Sequence, residues 1–307
     1  MQDSAKWPYI EAASFCLALA AAVVAPLYVT NWNGEVFARV AQDPLKPKIQ
    51  LWIFMIGCQG VWWVLCAVYL GWSLKTLAHL TTQLWRHAIQ ATIPFVVPVI
   101  AMLAYFCWAR GSARPIPPDR LASCDIHHLP IFALGGIGIA TFAIWQIYLI
   151  QSLRLEQQRS EGLGPETVKQ LLEDRESTTH LLFVAATTLG LGVLATATFR
   201  NAVNADKRSD FFPREYVIIY GAQFSLLLVA LYLPVQVSLY RCAYELRNKL
   251  FNDLALDRDS VDKWCEARRK FDDMMGLDLG VQSLIGAPLI TLLPLLTGWI
   301  GNLLGKN

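Results

Sequence analysis

The sequence predicts an all-α membrane protein, a polytopic bundle of seven transmembrane helices with helical extensions on the cytoplasmic side. Three observations carry that expectation. Only 16% of the 307 residues are charged and 55% are hydrophobic, where a typical soluble domain carries about 25% charged residues. The charges are also missing in blocks: the seven windows 12–34, 49–74, 87–109, 126–153, 177–199, 216–240 and 279–305, each at least 23 residues long, contain no Asp, Glu, Lys or Arg. A crossing needs about 20 apolar residues, and a buried helix of a soluble protein would show a polar face at the 3.6-residue period. Finally, the window Tyr216–Tyr240 runs into RCAYELRNKLFNDLAL with no breaker at the junction, so one helix should leave the bilayer and continue into water.

The chain is expected to form a single membrane domain over 1–307, with spans at 10–31, 50–72, 88–108, 130–153, 179–199, 216–240 and 279–304 and aqueous helical segments at 154–176 and 241–275. The first span is framed by Trp7 and Tyr9 at one end and Tyr28 and Trp32 at the other, aromatic residues that favour the headgroup level. It lacks a basic leader, and its apolar stretch is longer than a signal peptide's about 7–15 residues, so it is read as a retained span. The second contains Trp62, Trp63 and Gln59 near its middle. An indole N–H in hydrocarbon needs an acceptor, so at least one of these rings should face protein. Pro94 and Pro98 should kink the third.

The fourth span carries GGIGIA at 135–140 and the fifth AATTLGLG at 185–192. Small residues let membrane helices approach backbone to backbone, so the fourth and fifth spans, with Gly136, Ala140, Ala186 and Gly190 as packing residues, should pack on each other or across a subunit boundary. Between these spans, helical extensions break at Gly162-Leu163-Gly164-Pro165. After the sixth span and its continuation, a second aqueous helix is expected over Asp259–Met275, capped by Asp and Ser. The last window holds Pro288, Pro294 and several glycines; it is read as crossing, and the count falls to six if it re-enters instead.

Seven crossings put the N-terminus and loops 2, 4 and 6 on one side with 15 basic residues, against 11 on the other. The positive-inside rule and the long charged helices of loops 4 and 6 then place the N-terminus in the cytoplasm and the protein in the cell (plasma or inner) membrane.

No ionisable Asp, Glu, Lys or Arg lies at mid-span, which argues against proton-coupled pumps, retinal proteins and voltage sensors. No nucleophile-elbow, zinc-protease or phosphate-loop motif is present, so no enzyme activity, cofactor or metal is expected. Histidines 79, 87, 127, 128 and 180 fall at span ends, where interfacial, solvated imidazoles are the plainer reading. Cys107 and Cys124 flank one loop and are read as free thiols.

The polar groups that the spans do hold are amides and hydroxyls. Gln59, Gln146, Gln223, Gln282, Ser283, Thr291 and Thr297 are candidates for a pore lining or for interhelical hydrogen bonds. On the aqueous helices, Arg241, Arg247, Lys249, Arg268, Arg269 and Lys270 are candidates for a cytoplasmic anionic ligand or nucleotide, weighed against a solvated face that attracts anionic lipid. The expected partners are the lipid bilayer and further copies of the chain. The expected function is an oligomeric channel or pore answering a cytoplasmic signal; the alternatives are a carrier for a neutral or apolar molecule and a non-conducting scaffold.

Overall fold

A backbone N–H or C=O inside hydrocarbon has no water to bond, so a segment that crosses must satisfy its own amides, and a helix does this alone. In the computed structural model the described residues are 46–80, 85–92, 129–161, 165–203, 214–252, 258–275, 277 and 290–304; all but Leu277 and Leu292 are helical, and none lies in a strand. The helices are α1 (Lys46–Leu80), α2 (Leu129–Glu161), α3 (Pro165–Val203), α4 (Arg214–Asn252), α5 (Arg258–Met275) and α6 (Leu293–Leu304), with a further helical stretch at 85–92.

Four segments are long and apolar enough to cross a membrane: Gln50–Lys75, Gly136–Leu153, Thr167–Asn201 and Glu215–Phe251. This is the composition of an integral membrane protein. The four hold the second, fourth, fifth and sixth predicted crossings. The first crossing and the third beyond residue 92 lie outside the described residues, with Pro94 and Pro98. Of the last, only residues 290–304 are described, about 22 Å of helix at 1.5 Å per residue.

The helix α3 is the centre of the bundle. In its apolar window 67% of residues are buried, against 33% in that of α4, so α3 is surrounded by helices while α4 keeps one side open. Leu226, Val229, Leu233 and Val237 lie on that open side. Between α2 and α3, Ala140, Ala143, Ala185 and Ala186 lie in one core with Ile147, Leu181, Leu182 and Leu228. Lipid tails are as apolar as these side chains, so close packing and hydrogen bonds hold the helices together rather than hydrophobic transfer.

The fourth and fifth predicted spans pack on each other, as α2 on α3, and their glycines admit further helices. Gly136 faces α1, where a β-carbon would lie 3.6 Å from Gln59 Nε2 and from Trp63; Gly190 faces α6, where it would lie 3.3 Å from Thr297 Cγ2. The two small-residue stripes therefore meet through their alanines, and their glycines admit other helices. The tightest seat is that of α6 between α3 and α4. A β-carbon on Gly221 would come within 2.5 Å of the Pro294 carbonyl oxygen, one on Gly298 within 3.0 Å of the Val217 carbonyl oxygen, and one on Gly301 would strike Ala197 Cβ.

Two prolines in these helices have a side chain from another helix bonded to the backbone beside them. Pro294 interrupts α6 near its start, and the Leu295 N–H donates to Ser225 Oγ of α4 at 3.1 Å. Pro234 lies inside α4, and Tyr148 of α2 donates its hydroxyl to the nearby Leu231 carbonyl at 2.7 Å.

These contacts yield a paired test. Gly221→Ala sets a β-carbon against backbone that cannot rotate away, and should lower the thermal midpoint in detergent by several degrees, a loss of about 1–3 kcal/mol. Gly138→Ala, with nothing within 4 Å, should leave the midpoint unchanged or raise it, since alanine is favoured over glycine in a helix by about 1 kcal/mol.

Candidate functional site

Where α3 and α4 pass the ends of their charge-free stretches, 177–199 and 216–240, they do not stop. The start of α3 and the end of α4 continue as helix and meet α5 in a separate small core of Leu171, Ala243, Leu246, Phe271 and Met275. This headpiece folds because α5 is amphipathic: Phe271 and Met275 are buried, whereas Cys265, Glu266, Arg269 and Lys270 are exposed. Phe251 near the end of α4 packs edge-on against Trp264 and Phe271 at ring distances of 6.1 and 5.8 Å, and the Trp264 indole N–H donates to the Phe251 carbonyl at 3.2 Å. Arg175 of α3 donates to the Met275 carbonyl at 2.7 Å. It places a cation at the negative end of the α5 dipole.

One half-buried ion pair ties α4 to α5. Arg247 Nη1 lies 3.5 Å from both Asp272 carboxylate oxygens, with the two side chains only 13% and 19% exposed. The Arg247 guanidinium also sits 4.2 Å over the Tyr244 ring.

The six basic residues proposed as an anion site do not converge. Arg247 is spent on Asp272; Arg241 pairs with Glu245 at 3.3 Å and Lys270 with Glu266 at 2.7 Å. Arg268 lies over the Trp264 ring at 5.2 Å, and Lys249 and Arg269 are exposed on different helices. The Lys270 ammonium holds the Glu266 carboxyl below its ordinary range. That side chain is 66% exposed, and its support to α5 fades as pH falls through the lowered value.

Of the polar candidates in the spans, Gln59 is buried, its amide between Gly136 of α2 and Gly192 of α3. Gln146 is fully buried and its Nε2 donates to the Leu70 carbonyl of α1 at 2.8 Å. Thr291 is buried, and Thr297 donates to the Pro294 carbonyl of its own turn at 2.9 Å. Gln223 is half-buried on α4, while Gln282 and Ser283 lie outside the described residues. Trp62 meets the requirement set for an indole in a span: its N–H donates to Thr188 Oγ1 of α3 at 2.8 Å. His87 corrects the expectation of a solvated ring. It is 2% exposed, and its Nδ1 lies 2.8 Å from Ser152 Oγ of α2.

Beside the headpiece, α2, α3 and α4 line a half-open cavity of about 240 Å³. Its apolar side is made by Ile147, Ile150, Val235 and Leu239, its polar side by Gln151, Thr178 and Ser238, and its charges are Asp174, Arg241 and Glu245. The apolar residues and Thr178 lie deep, whereas Arg241 and Glu245 are exposed, so the cavity is graded from an apolar floor to a charged rim. Of these residues only Arg241 was singled out in the sequence. A signal existed: Val235, Ser238, Cys242 and Glu245 recur at helical spacing across the boundary between apolar and charged sequence.

No protein-family model matches this chain, and neither a curated protein nor a solved structure shows significant similarity to it.

The buried clamp gives the test of the headpiece. Asp272→Ala leaves Arg247 half-buried without its carboxylate and should loosen α5 by about 1–3 kcal/mol, read as faster amide exchange across 258–275. Exchange in α1 should stay unchanged, and adding Arg247→Met should restore part of the protection.

Proposed function

We propose that the chain is an oligomeric, channel-type protein of the cell membrane with seven crossings and a cytoplasmic N-terminus, and that its headpiece receives a cytoplasmic cue and passes it to the membrane helices. The observation that carries this reading is the continuity of α3 and α4. Both run unbroken from a charge-free stretch into the headpiece core, so a displacement of α5 acts on two membrane helices through rigid rods rather than through a loop.

The packing inside one copy sets where a water path would run. Gln146, Thr188 and Ser225 are buried and bonded from helix to helix, which serves cohesion. The reading therefore places the path between copies, bordered by the outward faces of α1 and α6, which include Phe54 and Trp299, while the Leu226 face of α4 is turned to lipid. Gln223, Gln282 and Ser283 are the polar residues kept as candidates for its wall. With the headpiece cations largely paired, the cue is assigned to the headpiece as a body and not to one phosphate-binding cluster.

A carrier is the second reading, supported by the graded cavity beside the headpiece. One experiment separates the two. The purified chain in planar bilayers should give unitary currents, and Asp272→Ala should change their open probability and leave their amplitude unaltered. A stable oligomer that stays silent under every cue contradicts the channel, and saturable uptake without unitary current replaces it with the carrier.

A further inference from the structure

The cavity beside the headpiece combines features that match one class of ligand. Its floor, with Ile147 and Val235, belongs to the apolar windows of α2 and α4, and its rim carries both signs of charge in Arg241, Glu245 and Asp174. Thr178, 1% exposed, adds a hydroxyl at depth. A ligand seated here would place aliphatic carbon against the floor and a head bearing one positive and one negative group at the rim. The volume of about 240 Å³ holds several waters, room for a small polar head with the first carbons attached to it.

We infer that this cavity is a binding site for a zwitterionic amphiphile that takes over the exposed Arg241–Glu245 pair, whose side chains are 82% and 55% exposed and which adds little to the fold: the anionic group of its head meets Arg241, the ammonium meets Glu245, and the chain follows Ile150 and Leu239. The site lies where α3 and α4 leave their charge-free stretches for the headpiece, so an occupant bridges the part that would sense and the part that would respond. The inference does not depend on conduction: binding at this place is expected whether the protein is a channel or a carrier.

Two sources share this chemistry, a bilayer phospholipid and a soluble zwitterion, and one experiment distinguishes them. The full chain in mild detergent is offered phosphatidylethanolamine, phosphatidylcholine, phosphatidylglycerol and diacylglycerol in turn, and bound lipid is counted by native mass spectrometry. Zwitterionic lipids should be retained about tenfold better than the other two, the ratio expected from one charge-assisted contact. Ser238→Trp, which fills the cavity, should abolish the preference. Should that variant fail to fold, Arg241→Gln with Glu245→Gln removes both charges from an exposed surface and should level the four lipids. Loss of bound lipid on adding free phosphoethanolamine assigns a soluble zwitterion; retention assigns a bilayer lipid. Equal retention of all four lipids by the unaltered chain, or a preference that survives both variants, overturns the inference.

Discussion

The structure depends on one constraint: in hydrocarbon, the backbone must satisfy its own N–H and C=O groups inside the protein. Long unbroken helices follow from it, since they satisfy their own backbone. Side-chain hydrogen bonds then join helix to helix. Thr188 accepts from Trp62 and donates to the Val184 carbonyl of its own helix at 2.7 Å, which uses the hydroxyl fully without water. Ser225 and Tyr148 serve the backbone beside prolines. Such bonds are each worth about 0.6–2 kcal/mol in membranes, so their larger role here is to fix which helix faces which.

Close approach is the second consequence. With no hydrophobic transfer to gain by leaving lipid, helices associate where their surfaces fit, and the fit is best where side chains vanish. The seat of α6 shows this. Gly221, Gly298 and Gly301 remove the atoms that would hold it away from α3 and α4, and Ser225 meets the broken turn at Pro294.

The helices that cross were legible because charge is costly at depth, so its absence over 23 or more residues marks them directly. The headpiece was legible for the opposite reason. Asp259–Met275 alternates charged and apolar residues at helical spacing, and α5 spans Arg258–Met275. The start of α3 at Pro165 was legible, proline being suited to the first turn of a helix. Which faces meet was not legible. A helix apolar on all sides carries no periodicity to say which side is inward, so the sequence indicated that α2 and α3 pack together but not that Gly136 admits α1 and Gly190 admits α6. Gly221 and Ser225, spaced as a small-xxx-small pair, carried a signal that was passed over. Arg247 was read as a site for a ligand anion because its carboxylate partner, Asp272, lies 25 residues away on another helix.

The headpiece and the membrane helices are one mechanical body only if α4 truly passes from hydrocarbon into water. Single spin labels along α4 from 217 to 250, in lipid vesicles, measure this most directly through their collisions with oxygen and with a water-soluble nickel chelate. At Leu226, Val229, Leu233 and Val237 oxygen collisions should dominate, and beyond Arg241 the nickel chelate should take over on the exposed face within about two helical turns. Nickel collisions on the outward face throughout 226–237 would mean that water, not lipid, surrounds this helix, and the account would be wrong.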